Sequence, residues 1–562
     1  YLPTFSGSRI THIPAIMVDH ILSTKDKLSF YWSYTNTTNA ISTGLGQADG
    51  LPDPITTAIG TFIPANIYRL NWDHTITPTV LLHVGVGYQS VDQGVPSVNT
   101  DGSVRNYDVT KELGLQGGIV NKFFPTFTGL TFGGGTGGMK NFGSQSDTHN
   151  YTQKPTANVS LTAVKSNHTY KFGGEMRVEG YPAQNFGGAG GSYGFSVSQT
   201  SMPYLNGTTL SGTSPGFPYA SFLLGLVNNG SIGYPVNPKL GKHQLGFFAQ
   251  DTWKVTRKFT LDYGIRYDYS TYLKEQYGRA ANFSPTTPNP TVGGYPGAVL
   301  FEGGGAGHCN CDFAKVYPWG FGPRLGAAYQ INSKTVFRAG FGVVYASTEA
   351  NNNAAGGLAN ANNTFTASAF GNSVTTLSQG IPTSLRPLPW PNLDPGQFPL
   401  TNTAAPSALT APMIDPNAGR PPRQYQWSVG LQRELSKDMA IEASYVGNRG
   451  IWWQGPALLN LNALNTDTLK SRGIDVANAA DVALLTQSLS SATVAARGFR
   501  VPYAGFPTGQ TLAQSLRPYP QFTNVNVYWA PLGKTWYDSM QVKLTKRMSH
   551  GLSVLSTFTW SK

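Results

Sequence analysis

Hydrophobic and polar positions alternate most regularly between residues 245 and 269. In the first arm the apolar residues of one parity are Leu245, Phe247, Ala249, Trp253 and Val255. In the second arm they are Phe259, Leu261, Tyr263, Ile265, Tyr267 and Tyr269. Successive side chains of a strand point to opposite faces, so this period of two predicts a β-hairpin with a turn at 256–258. Each arm has about eleven residues, roughly the length that a tilted strand needs to cross a bilayer.

The other parity of this hairpin is polar, with Phe248 as the one large apolar exception. An aromatic-rich face opposite a charged face is typical of a strand between lipid and water. The residues that we expect to face lipid are Phe247, Trp253, Leu261, Tyr263, Ile265, Tyr267, Trp427 and Tyr445. Those that we expect to face a lumen are Asp262, Arg266, Asp268, Arg338, Glu442 and Lys543. These charges would guide a solute, hold a plug or simply solvate a water-filled interior.

Similar hairpins recur near 68–88, 159–178, 324–345, 425–445 and 540–560. Their turns are short, whereas the connections at 270–323, 346–423 and 448–536 are long. Long loops are uncommon in compact soluble domains, and regular alternation of short turns with long loops is typical of outer-membrane barrels. The pattern therefore predicts an all-β fold, a transmembrane antiparallel up-and-down β-barrel with about sixteen candidate strands and long extracellular loops. A soluble β-sandwich is the weaker alternative.

The composition agrees with alternating membrane strands. Charged residues make up 12% of the chain, against roughly 25% in soluble domains. Mean hydropathy is −0.22, and we find no apolar run of the roughly 18 residues that a transmembrane helix needs. The net charge of +12 comes from basic residues scattered singly, which argues against nucleic acid as a partner. Anionic lipopolysaccharide or an anionic solute in the lumen is the expected partner of this excess, and outer-membrane lipid is the expected surrounding of the strands.

Candidate chemical motifs are few, and we expect neither an enzyme nor a cofactor. The group His308, Cys309, Cys311 and Asp312 would form either a metal site, for which a lone C-x-C is weak evidence, or a loop with a local disulfide or two thiols. The patterns G-x-G-x-x-G at 133–138 and G-x-S-x-G at 190–194 lack the helices that their chemistry requires. In the last long connection, Asp481 is expected to cap a helix that continues through Leu489 towards Gly498.

Several sequence phrases resemble one family, the barrel region of Oar-like TonB-dependent receptors of Gram-negative bacteria. The phrases are GFFAQDTWK (246–254), LDYGIRY (261–267), GPRLG (322–326), WSVGLQREL (427–435), EASYVG (442–447), RPYPQF (517–522) and TFTWSK (557–562). Each phrase is short, but their order and spacing together are fairly specific. They extend over the chain from about residue 160 to its end.

The resemblance implies a 22-stranded outer-membrane barrel that takes up an unidentified extracellular ligand. An N-terminal plug would couple it to TonB. We find no plug, no TonB box and too few strands for such a barrel, so residues 1–562 are expected to be a partial barrel domain without the C-terminal strands. A surface or adhesion protein and a passive porin remain alternative functions. If Tyr263 faces lipid at the bilayer midplane, we expect Tyr263→Arg to cost about 2–4 kcal/mol. We expect Gly264→Arg to be far milder unless the lumen is crowded at that position.

Overall fold

A computed structural model of the chain describes residues 8–41, 51–120, 123–130, 140–202, 216–347, 362–396, 410–455 and 458–562. Its largest sheet contains sixteen strands. We number its long strands β1 to β14 in chain order and count as β1 the segments Ile10–His12 and Ala15–Ile21, which both pair with the same neighbour. The remaining strand of this sheet is the short Lys274–Glu275, which pairs beside β7.

We call this sixteen-stranded sheet the wall. Its other long strands are β2 (Asp26–Asn39), β3 (Thr61–Thr77), β4 (Val80–Pro96), β5 (Asp147–Lys165), β6 (His168–Asn185), β7 (Lys239–Lys254), β8 (Phe259–Ser270), β9 (Phe321–Asn332), β10 (Thr335–Tyr345), β11 (Arg423–Ser436), β12 (Met439–Gly455), β13 (Ala530–Ser549) and β14 (Leu552–Ser561). Each pairs antiparallel with the next strand along the chain. This is the up-and-down order that the sequence predicts. Among the described residues, β1 and β14 are the two edges of the sheet.

The expected hairpin at 245–269 is present as β7 and β8. Leu245 pairs with Tyr269 and Trp253 with Leu261, so the apolar residues of both strands share one face. We call this the aromatic face and the opposite one the polar face. Many strands are longer than the expected eleven residues: β7 has 16 residues and β13 has 20. At about 3.3 Å per residue, 20 residues span about 65 Å, so such strands extend well beyond a bilayer even when tilted.

The connections divide the wall into two different ends. Turns such as 166–167, 255–258 and 333–334 lie at one end, which we call the turn end. The long connections lie at the other, the loop end, and contain small sheets of their own. Their strands are Thr126–Thr128, Ser192–Gly194, Leu226–Val227, Asn229–Gly233, Ala281–Asn289, Tyr295–Phe301, Asn362–Thr366, Thr375–Thr376, Thr410–Ile414, Leu459–Asn460 and Asn524–Tyr528.

The loop end also contains short helices. These are α1 (Val109–Leu113), α2 (Pro218–Leu223), α3 (Thr466–Ser471), α4 (Ala479–Leu485), α5 (Ala492–Ala496) and α6 (Leu512–Ser515), with 3₁₀ turns at Val197–Thr200, Pro290–Val292 and Thr383–Leu385. In the part of the chain that the structure describes, no helix has both the length and the apolar character needed to span a membrane.

The helix expected after Asp481 differs from the prediction. Asn478, not Asp481, caps α4, and its side chain accepts a hydrogen bond from the backbone N–H of Ala480 at 2.9 Å. The Asp481 carboxylate is buried and pairs with Arg497, so it does not cap the helix. The helix ends at Leu485, and α5 begins separately at Ala492. The prediction of one continuous helix was therefore wrong, because both ends are set by packing within the loop.

Buried hydrophobic side chains concentrate at the loop end. One cluster combines residues of three different connections, including Val109, Tyr193 and Phe365. Another joins Phe283, Ala411 and Phe522, again from three connections. The wall instead exposes large apolar side chains, for example Phe247 at 53% and Ile265 at 50%. The long loops are therefore folded against one another, while large apolar side chains on the aromatic face of the wall stay exposed among the residues that the structure describes.

Candidate functional site

The polar face of β7 to β11 forms a groove of about 670 Å³. Two rows of residues, each with one member per strand, line it in register. The rows are Gln250, Gly264, Arg324, Gly342 and Gln426, and Thr252, Asp262, Gly326, Gly340 and Ser428. Small and polar residues at these positions leave room for water or a polar ligand along the polar face of the wall.

Glycines make this face concave by removing side chains where strands approach. A Cβ atom at Gly264 would lie 2.7 Å from both the carbonyl oxygen of Ala249 and the Cβ of Gln250. Phe248, the apolar exception on this face, packs over Gly173 of the neighbouring strand, where a Cβ would meet its ring at 2.5 Å. Position 264 is therefore crowded, which is the exception under which Gly264→Arg is not expected to be mild.

Charged side chains of the polar face are paired above the groove, towards the loop end. Arg266 Nε donates to Asp268 Oδ1 at 2.8 Å, and the same guanidinium pairs with Glu175 of β6. One guanidinium therefore joins two strands and two carboxylates. Pairs of this kind are stronger than neutral hydrogen bonds and fix the geometry of the groups involved.

A second charged cluster lies closer to the loop end. The Lys242 side chain is 0% exposed, and its Nζ lies 3.6 Å from Glu179 Oε2. Lys242 Nζ and Gln244 Nε2 each donate to Ser347 Oγ at 2.6 Å, while Tyr181 Oη donates to Glu179 at 2.5 Å. A buried, fully bonded lysine holds the connection after β10 against the polar face. The cluster lies where the lumen of the wall would meet the folded loops.

The predicted lumen residues all lie on the polar face, but in separate groups. Asp262, Arg266 and Asp268 follow one another along β8, and Asp262 accepts a hydrogen bond from Thr252 at 2.6 Å. Arg338 of β10 lies opposite Gly430. Glu442 and Lys543 are cross-strand neighbours on β12 and β13. That these residues face a lumen remains a prediction.

The predicted lipid-facing residues share the aromatic face. This set comprises Phe247 and Trp253 of β7, Leu261, Tyr263, Ile265 and Tyr267 of β8, Trp427 of β11 and Tyr445 of β12. Asp251 lies on this face as well, which the sequence reasoning missed. It accepts hydrogen bonds from His168 at 2.6 Å and from Tyr263 at 2.9 Å, and Trp253 stacks on the His168 ring. That this face contacts lipid also remains a prediction.

The charged residues Glu175, Glu179 and Lys242 were missed as site candidates. Their signal was available in part, because Lys242 and Gln244 continue the even parity of the polar face. Their pairing was not predictable, since Ser347 lies 105 residues beyond Lys242 in the chain. A local period assigns a side chain to a face but does not identify a partner on a distant segment.

The candidate chemical motifs that lie within the described residues do not form a reaction site. Cys309 and Cys311 form a disulfide, which leaves no thiolate for a metal in this loop. No group of three or more potential metal ligands occurs among the described residues. Ser192 of the G-x-S-x-G pattern lies in a short strand beside Ser231, with an Oγ–Oγ distance of 3.0 Å. The glycine-rich pattern at 133–138 lies outside the described residues.

Comparison with known proteins gives one decisive result. Residues 9–562 match the family described as outer membrane beta barrel domain. The chain belongs to this outer-membrane β-barrel family. The match covers nearly the whole chain, and it confirms the transmembrane barrel fold and the bacterial outer-membrane location expected from the hairpin pattern. No curated protein matches the chain.

Similar solved structures include outer-membrane transporters and receptors. The outer membrane transporter YddB from Escherichia coli is 11% identical, with a TM-score of 0.48, and the match covers 99% of this chain and 48% of that one. The alcaligin receptor FauA from Bordetella pertussis is 10% identical, with a TM-score of 0.40 and coverages of 99% and 53%. A variant of the ferric enterobactin receptor PfeA from Pseudomonas aeruginosa is 10% identical, with a TM-score of 0.43 and coverages of 100% and 52%. The chain thus spans about half the length of these structures.

Proposed function

We propose that this chain is the wall and loop end of a TonB-dependent receptor that takes up an extracellular ligand. The sequence phrases shared with Oar-like receptors support this proposal, as does membership of the outer-membrane β-barrel family. The loop end faces the outside of the cell, and short turns such as 255–258 face the periplasm, as is usual for outer-membrane barrels. The aromatic face contacts lipid and the polar face lines the lumen.

The observation that carries the proposal is the folded loop end above a charged polar face. An open porin needs a continuous water path, whereas here three connections share one hydrophobic cluster. The buried Lys242 also ties the connection after β10 to the polar face. Loops fixed in this way support a binding surface with a definite shape rather than an open passage. Specificity for the ligand would lie in these loops and in the upper polar residues.

Uptake can be tested while the ligand is still unidentified. The bacterium and a strain lacking the full-length gene are grown in the same medium, with and without a protonophore, and the solutes remaining are compared by mass spectrometry. We expect at least one solute to be depleted only by energised cells that carry the gene, because TonB-coupled uptake draws on the proton gradient. Depletion that persists in the presence of the protonophore, or identical profiles for the two strains, would contradict the proposal.

A surface or adhesion role is the second candidate. It is favoured by the helical part of the connection between β12 and β13, where Leu469, Val494 and Leu512 belong to a separate buried cluster. A small folded unit at the loop end offers a protein-binding surface. Cell aggregation that is lost on deletion of the gene, with unchanged solute depletion, would support this role over transport.

A further inference from the structure

The aromatic face of β10 to β13 changes character towards the loop end. Nearer the turn end, the register row that contains Ala339, Val429, Tyr445 and Met540 is uncharged. Two rows higher, Arg449 lies between Tyr425 and Trp536. In the next row Tyr345, Arg423, Ile451 and Lys534 lie side by side. Cations therefore follow directly above aromatic residues on the same surface of the wall.

The Trp452 ring contacts two of the cationic side chains in this region. The Cζ atoms of Arg420 and Arg423 lie 4.7 Å and 4.2 Å from the centre of its ring. The register of β12 shifts at this point, and Trp452 has a φ of 63°, a left-handed conformation that bulky residues rarely adopt. The irregular backbone therefore places one indole ring against two guanidinium groups.

The charge of this group is not balanced by nearby carboxylates. Arg449 pairs with Asp538 at 2.8 Å. Within the described ranges, Arg420, Arg423 and Lys534 form no ion pair with a carboxylate. The Nε atom of Arg423 is buried and finds no hydrogen-bond partner there. Two arginines on one ring repel each other, and cation–π contacts offset only part of this cost.

We propose that Arg420 and Arg423, which stack on Trp452, together with Lys534 of the neighbouring strand, bind a phosphate group of a phosphorylated glycolipid in the outer leaflet, the lipid A part of lipopolysaccharide. Arg423 and Lys534 lie on the aromatic face, and Arg420 shares the Trp452 ring with Arg423, so a ligand that reaches them from the membrane is a lipid. The guanidinium fork matches phosphate oxygens in a bidentate geometry. The exposed Trp536 (64%) below them suits the border between acyl chains and headgroups.

This inference rests on the proposed orientation, with the loop end outside, but not on transport. Arg433 provides a matched control because it lies on the same strand and face as Arg423, ten residues nearer the turn end. Arg547 is a second arginine of the turn end, where its backbone N–H bonds to Asp438. If the charge of any arginine were sufficient, removing these two would weaken lipid binding as much as removing Arg420 and Arg423.

The test measures binding of diphosphoryl lipid A to the full-length purified protein by native mass spectrometry. For the double variant Arg420→Gln/Arg423→Gln we expect a dissociation constant at least ten-fold larger than that of the unmodified protein. We expect no change for Arg433→Gln/Arg547→Gln. The double variant Arg420→Lys/Arg423→Lys should lose less affinity for lipid A than the double glutamine variant, because it keeps both positive charges. Lipid A stripped of its phosphates should bind the unmodified protein as weakly as the intact lipid binds the glutamine pair.

A difference in gel mobility between heated and unheated samples would show that each variant is folded. Equal affinity of the glutamine pair and the unmodified protein would overturn the proposal. The proposal would also be overturned if the unmodified protein bound lipid A equally well with and without its phosphates, or if the lysine and glutamine double variants lost equal affinity. If binding is lost although solute depletion by cells is unchanged, the lipid site stands independently of the transport proposal. If solute depletion is absent but lipid binding follows the expected order, only the transport proposal fails.

Discussion

Replacing Glu275 with alanine is expected to open the loop end locally, at a cost of about 3–5 kcal/mol. The Glu275 side chain is 0% exposed and pairs with Arg279 at 2.5 Å. It also accepts hydrogen bonds at 2.9 Å from the backbone N–H groups of Lys239, Tyr277 and Arg279. Alanine would leave these donors without an acceptor, and it would leave the arginine charge uncompensated against the rings of Tyr277 and Trp390.

Hydrogen exchange of the backbone amides at 274–279 in the full-length protein measures this effect. A local cost of this size corresponds to exchange that is faster by roughly 10²–10⁴-fold. Glu112→Ala is the control, because Glu112 is half exposed and lies 3.9 Å from Lys111, a surface pair worth little. Unchanged exchange in Glu275→Ala, or equal acceleration in both variants, would contradict this account of the loop end.

The same carboxylate predicts a pH dependence. Burial alone would raise the pKa of Glu275, but Arg279 and the backbone donors outweigh it and hold the pKa below its usual value of 4.5. Because the folded pKa is depressed, the stabilisation is complete above the unfolded value and is lost as pH falls through the folded one. We therefore expect exchange of the backbone amides at 274–279, relative to the intrinsic rate at the same pH, to accelerate only below about pH 4.5. Glu275→Gln should remove this acid-induced step, and a step that persists in this variant would rule out Glu275 as its cause.

Replacing Leu325 with arginine is expected to destabilise the wall by about 2–4 kcal/mol if this position lies near the bilayer midplane. Leu325 lies on the aromatic face between Tyr263 and Phe341 and is 53% exposed. An arginine there would place a charge in hydrocarbon. Urea titration of the full-length protein in lipid bilayers measures the change in unfolding free energy.

Gly326→Arg is the matched control, because the next residue points to the polar face. A Cβ atom there meets only ordinary contacts, the nearest being the Cβ of Asp262 at 3.4 Å, and the new guanidinium would lie beside that carboxylate. We expect Gly326→Arg to lower the free energy of unfolding far less than Leu325→Arg does. Tyr263→Arg is a less clear test, since the arginine could pair with Asp251, which accepts the Tyr263 hydroxyl. Equal losses at 325 and 326 would argue against a lipid-facing aromatic face.

The sequence predicts the wall because strand parity is a local property. Leu245, Phe247 and Trp253 share a face in any regular strand, and their register against β8 follows once the short turn is identified. Phe248 breaks the pattern for a reason that is not local: it fills the space over Gly173. Asp251 breaks it because His168, which lies 83 residues away in the chain, and Tyr263 satisfy its carboxylate on the aromatic face.

The loop end could not be predicted in the same way. Its core joins Val109, Tyr193 and Phe365 from three separate connections, and no periodic pattern links them. The capping of α4 shows the same limit on a smaller scale, since both Asn478 and Asp481 are good capping residues. The contacts of the Asp481 carboxylate with Arg497 and with the backbone N–H of Asp475 decide between them. The charged cluster around Lys242 likewise depends on the connection that carries Ser347.

The central claim is that the aromatic face contacts lipid and the polar face contacts water. Cys309 and Cys311 form a disulfide, so neither competes for a spin label with single cysteines introduced along 261–268 of the reconstituted full-length protein. Accessibility to oxygen, which concentrates in lipid, is then compared with accessibility to a water-soluble nickel complex. We predict oxygen maxima at 261, 263, 265 and 267 and nickel maxima at 262, 264, 266 and 268. Accessibilities without a period of two, or with the two sets reversed, would contradict the account.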